Sequence, residues 1–314
     1  MTPGRSAATA FGAAAAVGVG VLAWGVLVER TAFTVRHEML PILRPGSRPL
    51  TILQLSDLHM APWQRSKQDF VRSLVRYEPD LIVDTGDDLG HRDGLVGIRR
   101  AYEPFAGIPG VFVHGSNDYF GPVFKNPLRY FTGPSKRPGH AERLDTGALD
   151  RFLVNDLGWL NLTHTARALA TRGHLLELFG TADAHRGWDR LDALPGAIEA
   201  MRESVDADGE SVVRLGVTHA PYRRVLDAFA TQGADLILAG HTHGGQVRLP
   251  GLSALVTNCD IPRSQAQGLS VWRAARHSAL LNVSAGLGTS IFAPVRVACP
   301  PEAVVLTLVP VGYP

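Results

Sequence analysis

The sequence predicts an α/β fold, and three observations carry this prediction. The chain has 314 residues, of which 45% are hydrophobic and 19% are charged, so it can bury a large core. From residue 50 onwards, apolar runs of strand length alternate with amphipathic stretches, as in sheets flanked by helices. Clusters of aspartate and histidine directly follow several of these runs, which is where functional loops leave a sheet.

The uncharged segment at residues 7–28 predicts a single-pass amino-terminal membrane anchor. As a helix, its 22 residues would extend about 33 Å, which is enough for a bilayer core of about 30 Å. The alternatives are a buried helix of a soluble protein and a cleaved signal peptide, but signal peptides have shorter apolar cores and end in a small-x-small site. This segment ends in Trp24-Gly25-Val26-Leu27-Val28 and has no such site.

We therefore divide the chain into an anchor at 1–28, a linker at 29–49 and one domain at 50–314. Pro41, Pro45 and Gly46 interrupt the linker, as turn-forming residues do. More arginines follow the apolar segment than precede it, which by the positive-inside tendency favours the cytoplasmic face of the membrane for the domain.

Within the domain, the pattern predicts eight strands and three helices. The strands are expected at 50–55, 80–84, 110–114, 175–180, 212–219, 235–239, 279–283 and 303–309. The helices are expected at 67–77, 191–204 and 222–231.

The charge balance and the cysteine count exclude two classes of function. Lys and Arg total 31 against 29 for Asp and Glu, so we expect no nucleic-acid polymer as a partner. Two cysteines, Cys259 and Cys299, are too few for a disulfide framework or a cysteine-rich zinc site, and we expect free thiols.

Five strand-end clusters supply oxygen and imidazole donors and no thiolate. Their members are Asp57, His59, Asp87, Asn117, Asp118, His219, His241 and His243. One histidine after a strand is usually a structural residue, but five such clusters together indicate metal binding. Carboxylate and imidazole donors suit manganese, iron or zinc, and there are enough of them for two divalent ions.

The order and spacing of these motifs resemble those of the calcineurin-like metallophosphoesterases, and within them the membrane-anchored bacterial branch. The motifs are Asp-x-His at 57–59, Gly-Asp at 86–87, a Gly-Asn-His-Asp counterpart at 115–118, a lone histidine at 219 and Gly-His-x-His at 240–243. The resemblance runs from about residue 50 to residue 301. It implies a two-sheet α/β sandwich flanked by helices, with a dinuclear centre at one edge.

The resemblance also implies a role for each motif residue. Asp57, His59 and His243 would bind the first ion, His219 and His241 the second, and Asp87 would bridge the two. A hydroxide between the ions would then attack a phosphoester. We accordingly expect catalytic residues at four positions, which are Asp87, Asn117, Asp118 and His241.

One motif departs from the family pattern, because the chain has Gly115-Ser116-Asn117-Asp118 where Gly-Asn-His-Asp is expected. Either Ser116 or a water replaces the usual Asn ligand, or a small loop shift lets Asn117 reach the second ion; we favour Asn117. In both cases the usual proton donor is missing, because an amide does not release a proton at neutral pH. His114 is the alternative acid, although its place in an apolar strand favours a structural role.

Two further groups are candidates for substrate contact besides Asn117. The segment 119–144 is rich in arginine, lysine and aromatic residues, and its Arg129 is expected to bind a phosphate of the substrate. The same segment is also compatible with lipid headgroups or with a plain surface loop. Arg296 is a candidate anion contact, with a surface ion pair as its alternative. The remaining histidines, His185 among them, match no motif and are expected to be ordinary.

The sequence thus predicts a metal-dependent phosphoester hydrolase with a dinuclear centre. Its substrate is expected to be a phosphodiester or pyrophosphate, linked to a nucleotide or a lipid, because an enzyme without a general acid favours a weakly basic leaving group. Its partners are expected to be this substrate and membrane lipid. The alternative is a metal-binding scaffold at the membrane that has lost turnover through the Ser116-Asn117 change.

Overall fold

Two six-stranded sheets packed face to face form the centre of the protein. The computed structural model describes residues 3–124, 141–205, 211–249, 251 and 253–313. The first sheet has the order β1-β12-β2-β3-β4-β5. Its strands are β1 (Thr34–Leu43), β2 (Leu50–Leu55), β3 (Leu81–Asp84), β4 (Gly110–Phe112), β5 (Leu160–Asn161) and β12 (Glu302–Pro310).

The second sheet has the order β10-β11-β9-β8-β7-β6. Its strands are β6 (Thr165–Thr171), β7 (His174–Gly180), β8 (Ser211–Val217), β9 (Leu236–Ala239), β10 (Gly268–Ala274) and β11 (His277–Val283). Leucine and valine side chains from the two inner faces form a buried core between the sheets. This burial stabilises the sandwich, since each fully buried side chain of this type contributes about 1.5–3 kcal/mol.

Helices cover the outer face of each sheet. Apolar side chains of α2 (Arg65–Ser73) and α3 (Gly94–Tyr102) pack on the first sheet. Those of α6 (Leu194–Glu203) and α7 (Arg223–Thr231) pack on the second. The short helices α4 (Ser116–Tyr119) and α5 (Thr146–Arg151) follow β4 along the chain. The predicted two-sheet sandwich flanked by helices is therefore confirmed.

All eight predicted strands and all three predicted helices are present, with small shifts at their ends. Strands β2, β3 and β4 run parallel in the first sheet, and β7, β8 and β9 run parallel in the second. The carboxyl ends of parallel strands lie at one edge of a sheet. The loops that follow β2, β3, β4, β8 and β9, which carry the predicted site residues, are thereby brought to the same edge of the sandwich.

The amino-terminal segment forms helix α1 (Pro3–Leu27). Val19, Trp24 and Leu27 on this helix are all more than half exposed, so the helix is largely free of contact with the sandwich over these residues. Within the described part of the chain, no helix meets both the length and the hydropathy expected of a bilayer-crossing segment. The predicted helix is confirmed, whereas its predicted passage through a membrane is not.

The expectation of a linker at 29–49 is wrong for residues 34–43, which form β1. This strand pairs in parallel with β12 at the edge of the first sheet. The guanidinium of Arg36 anchors it by contacting the carboxylate of Glu302 at 3.1 Å and the side-chain oxygen of Asn282 at 3.0 Å. Proline at 41 is compatible with this strand because edge strands tolerate the loss of a backbone donor.

Candidate metal centre

The first cluster at the sheet edge joins Asp57, His59 and His243. The Nε2 atoms of His59 and His243 lie 3.2 Å apart, and Nε2 of His243 lies 3.6 Å from Oδ1 of Asp57. The other carboxylate oxygen of Asp57 accepts hydrogen bonds from the Ser56 hydroxyl and from the His241 backbone N–H. Oδ1 is buried, and no donor within the described residues reaches it.

The second cluster joins Asp87, His219 and His241. Oδ2 of Asp87 lies 3.4 Å from Nε2 of His219, which in turn lies 3.3 Å from Nδ1 of His241. The same Asp87 oxygen is 3.7 Å from Nε2 of His59. Asp87 therefore lies between the two clusters, where one carboxylate can reach both.

Backbone carbonyl oxygens hold three of the imidazole rings from behind. Nδ1 of His219 contacts the carbonyl of Thr85 at 2.9 Å, and Nδ1 of His243 contacts that of Gly288 at 3.2 Å. Nε2 of His241 contacts the carbonyl of Asn258 at 3.2 Å. A carbonyl only accepts, so the Nδ1 atoms of His219 and His243 carry the proton, and in the neutral ring the opposite nitrogen directs its lone pair into the cluster. Nε2 of His241 also lies 3.3 Å from the side-chain amide nitrogen of Asn258, which is a donor, so both tautomers of His241 fit these contacts.

Burial and mutual charge set the protonation of these groups. Burial lowers the pKa of His59 to about 4 and lowers the pKa of His243 well below its ordinary value. Burial raises the pKa of Asp57 to about 7, because its charge has too little compensation. Burial would also raise the pKa of Asp87, but the neighbouring His219 holds it well below the ordinary range. For Asp57, burial thus outweighs the favourable charge of His219 and the hydrogen bonds from Ser56 and His241.

These observations fit divalent metal ions. Asp57, His59 and His243 bring their ligand atoms within 4.8 Å of one another, and so do Asp57, Asp87 and His219. An unpartnered buried carboxylate oxygen and two facing imidazole nitrogens are costly in a metal-free protein. A cation among them would satisfy all three. Oxygen and imidazole donors without thiolate suit manganese, iron or zinc.

The backbone at the site is held in an unusual conformation. Left-handed φ values occur at Asp57 (50°), His59 (42°), Asp87 (59°), His241 (67°) and His243 (49°). Such values are uncommon for residues other than glycine, and they persist only where surrounding structure enforces them. All five of these residues belong to the two clusters, so the unusual backbone is concentrated where the ligand atoms meet.

Gly115 and Gly240 allow the loops to approach this closely. A Cβ atom at Gly115 would lie 2.1 Å from Oδ1 of Asp87, and one at Gly240 would lie 1.9 Å from Oγ of Ser56. Any larger residue would displace Asp87 or the Ser56–Asp57 pair. The glycines of the Gly-Asn-His-Asp counterpart and of the Gly-His-x-His motif are thus part of the packing as well as of the turns.

Asn117 lies at the site, and its side-chain amide donates to Oδ2 of Asp87 at 2.5 Å. Its backbone N–H donates to the other Asp87 oxygen at 2.8 Å. The backbone N–H of Ser116 instead donates to Asp183 at 3.1 Å. Of the two candidates for the missing ligand, Asn117 is therefore the one whose side chain contacts Asp87, and it does so through its amide nitrogen.

Asp118 has a different position from the one expected of a catalytic residue. Its fully buried carboxylate accepts N–H groups from four residues, at 2.7 to 3.1 Å, namely Asp87, Asp88, Leu89 and Gly115. A carboxylate with this many backbone donors is committed to holding the loops after β3 and β4 together. The expectation of direct catalysis by Asp118 is replaced by a positioning role for the loop that carries Asp87.

Comparison with known proteins identifies the family. The profile of the calcineurin-like phosphoesterases matches residues 50–245, more than half of the chain. The chain belongs to the calcineurin-like phosphoesterase family. It is 27% identical to "Phosphodiesterase YaeI" of Escherichia coli over 278 residues, which cover 88% of this chain and 87% of that protein.

Two other relatives align with the present chain over only part of their own length. An uncharacterized protein, YpbG, of Bacillus subtilis is 28% identical over 210 residues, which cover 65% of this chain and 64% of YpbG. A bovine "Transmembrane protein with metallophosphoesterase domain" is 26% identical over 226 residues, or 69% of this chain and 45% of that protein. The chain therefore spans less than two thirds of either relative.

Two arginines outside the metal motifs, Arg129 and Arg296, are expected from the sequence to contact the substrate. Arg129 lies outside the described residues. Arg296 is described and is completely buried, with its guanidinium against backbone carbonyls beneath His243. A side chain in this position does not reach a substrate, and it forms no surface ion pair either. Both interpretations of Arg296 are wrong, because the segment 285–299 folds over it.

The loop after β7 also reaches the site, which the sequence analysis missed. The ring of His185 lies 4.4 Å from that of His241, measured between centroids, and its Nδ1 contacts the hydroxyl of Tyr222 at 3.0 Å. Asp183 in the same loop accepts the Ser116 N–H. The sequence does contain an indication of this, because Thr-Ala-Asp-Ala-His at 181–185 directly follows an apolar strand, as the other site clusters do.

His114 has the structural role that its apolar strand favours. It is buried, and its Nε2 lies 2.8 Å from Oδ1 of Asp150 while its Nδ1 lies 3.5 Å from Oδ2 of Asp118. Burial lowers the pKa of His114, but the hydrogen bonds and charges of these two carboxylates outweigh burial and raise the pKa to about 9. The ring is therefore a buried cation that joins α5 to the loop after β4.

We expect this ion pair to make stability dependent on pH. A folded-state pKa of about 9 lies above the unfolded value of about 6.5, so the stabilisation is complete below about pH 6.5 and is lost as the pH rises through 9. Urea denaturation in the presence of a chelator, from pH 6 to 10, measures the difference between wild type and His114→Gln. This difference should shrink as the pH rises, by an amount on the order of 3 kcal/mol at most.

Asp150→Asn provides the control for this experiment, because it removes one of the two carboxylates and leaves the ring in place. Its stability should depend less on pH between 6 and 10 than that of wild type. A difference between wild type and His114→Gln that stays constant over this range would contradict the assignment of a buried cation.

Proposed function

We propose that this phosphoesterase is a metal-dependent hydrolase of phosphodiester or pyrophosphate bonds, with a dinuclear centre at the edge of the sandwich. The observation that carries the proposal is the convergence of Asp57, His59, Asp87, His219 and His243. His241 contacts His219 at 3.3 Å, and one carboxylate oxygen of Asp57 has no donor among the described residues. In this proposal Asp57, His59 and His243 bind one ion, His219, His241 and Asn117 bind the other, and Asp87 contacts both.

Two divalent ions at such a site supply positive charge for phosphoryl oxygens and lower the pKa of a water held between them. The protein prepares the positions around them. The carbonyls of Thr85 and Gly288 keep the rings of His219 and His243 in a single tautomer, and hydrogen bonds of this type raise metal affinity. The half-buried amide of Asn117 donates one N–H to Asp87 and has a second N–H to donate to a phosphoryl oxygen.

The substrate class follows from the absence of an acid at position 117. An amide cannot protonate a leaving group, and His114 is engaged by Asp118 and Asp150 beneath the site. General acid assistance typically contributes about 10²–10⁴-fold when the leaving group is basic. A phosphate or a nucleotide leaves without such help, so we propose a pyrophosphate or another activated phosphoester as the substrate.

Metal removal and loss of the bridging carboxylate test the proposed function. With a nitrophenyl phosphodiester and added manganese, a chelator should abolish turnover and renewed manganese should restore it. Asp87→Asn should lower turnover at least about 100-fold, since even partners of metal ligands contribute 10–100-fold. Asp192→Asn is the matched control, because this exposed aspartate lies outside the site.

The manganese content of the same preparations, measured by elemental analysis, should be two ions per chain in wild type and fewer in Asp87→Asn. If wild type binds metal but turns over no phosphoester with any divalent ion, the protein is the scaffold that the sequence left as an alternative. If it binds no metal, the proposed centre is wrong.

A leaving-group series tests the substrate class. The rate of wild type should fall steeply as the leaving-group pKa rises from nitrophenyl to alkyl phosphodiesters. The double variant Ser116→Asn/Asn117→His restores the family's Gly-Asn-His-Asp motif and should raise the rate for alkyl esters by about 100-fold. The nitrophenyl ester is the internal control, because its rate should hardly change. A shallow dependence in wild type would contradict the proposal of an activated substrate.

We also propose that α1 attaches the protein to a membrane. Its exposed side chains Val19, Leu22, Trp24 and Leu27 are apolar, and exposed apolar surface of this extent needs a covering partner. Membrane fractionation should recover wild type with the lipid, and Val19→Glu/Leu22→Glu should release it without loss of metal. Equal recovery of both proteins in the soluble fraction would contradict this attachment.

A further inference from the structure

Arg296 is a fully buried cation whose guanidinium contacts only neutral groups. Its Nη2 donates to the carbonyls of Ala285, Gly286 and Gly288 at 2.7, 3.0 and 2.8 Å, and its Nη1 donates to that of Cys299 at 3.2 Å. Among the ion pairs of the described residues, none involves Arg296. Burying an unpaired charge is costly, so this arrangement needs a reason beyond packing.

The guanidinium lies directly behind His243. Its Nη2 is 3.5 Å from Nδ1 of the ring, and the carbonyl of Gly288 accepts from both groups. The thiol of Cys299 contacts the backbone carbonyl of His243 at 3.3 Å. The ring and the left-handed backbone of His243 are thus held from the same side, and the ring nitrogen opposite the guanidinium faces His59 and Asp57.

The end of α1 closes this arrangement from outside. The carbonyl of Gly25 accepts the backbone N–H of Arg296 at 3.2 Å, and the buried carboxylate of Glu29 accepts that of Cys299 at 2.6 Å. A Cβ atom at Gly25 would lie 2.6 Å from the Arg296 carbonyl oxygen and 2.9 Å from a methyl of Val297. The helix approaches the segment this closely only because residue 25 is glycine.

We infer that Arg296 is a positioning residue for His243, and that the docked end of α1 holds Arg296 in place. The contacts form a continuous chain from Gly25 and Glu29, through Arg296 and Cys299, to the ring of His243. The amino-terminal helix is therefore coupled to the affinity of one of the two metal positions, the one that contains Asp57, His59 and His243. The inference rests on the proposed function in one respect, that His243 binds metal.

The planar guanidinium is suited to this role because its donors are fixed in a fork that matches several carbonyls at once. A lysine ammonium at the same place would keep the charge but could not reach carbonyls on both sides. Loss of the fork frees the loop 285–288 and with it the carbonyl that selects the His243 tautomer. Partners of metal-bound histidines typically contribute 10–100-fold to affinity.

Manganese titration by calorimetry on the full chain tests the inference. Wild type should bind two ions. Arg296→Lys should weaken one of them by 10–100-fold and leave the other unchanged. Gly25→Val, which alters no residue of the site, should weaken the same ion to a smaller extent. Electron paramagnetic resonance at limiting manganese should then show isolated ions in both variants, where wild type shows coupled pairs.

Gly18→Val is the matched control, because a Cβ at Gly18 meets no atom within 4 Å, and it should bind both ions as wild type does. The melting temperature of each variant, measured with chelator, shows whether the metal-free fold is destabilised. A positioning role predicts weaker binding of one ion without a matching fall in this melting temperature. Unchanged binding in Gly25→Val and Arg296→Lys, or an equal loss of both ions, would overturn the inference. Wild type that binds fewer than two ions would instead overturn the proposed dinuclear centre.

Discussion

The arrangement of the site depends on the buried charge of Asp57, for which burial outweighs the compensation from His219 and from its hydrogen bonds. Its carboxylate is buried with one oxygen unpartnered, and the adjacent rings of His59 and His243 are neutral and face each other. Folding a chain into this state costs free energy unless a cation binds. Three features work together at this site: the left-handed residues, the closely packed glycines and the backbone donors to Asp118. Together they hold the ligand atoms close to one another against their mutual repulsion.

The sequence predicted the strands and the metal motifs because both depend on local patterns. A buried parallel strand is a run of apolar residues, and a polar cluster directly after it lies at the sheet edge wherever the strands are parallel. The pattern failed at β1, where Arg36, His37 and Glu38 form a polar stretch and Pro41 interrupts the apolar residues that follow. That strand is specified by its pairing with β12 and by the Arg36–Glu302 contact, over more than 260 residues of sequence.

Arg296 and His185 show a second limit of sequence reasoning. From sequence alone, an arginine in a proline-containing segment is expected at the surface, since buried arginines are rare. Only the fold reveals that the carbonyls of 285–288 line a buried place for its guanidinium. His185 follows its strand as the other site histidines do, but no motif marked it, and its proximity to His241 depends on how β7 and β9 flank β8.

Gly25 and Glu29 contact the segment that contains Arg296 and Cys299. These contacts connect the amino-terminal helix to the domain, two parts of the chain that the sequence pattern predicts to be separate. A helix attached only through a flexible linker would leave the site unaffected by whatever the helix contacts. Here β1 and the end of α1 are both built into the sandwich, and the chain between them leaves little slack. A force or a partner acting on α1 would thus reach His243 through Arg296 without passing through the hydrophobic core. Whatever α1 contacts, this connection would allow that contact to alter the affinity of the proposed metal position at His243.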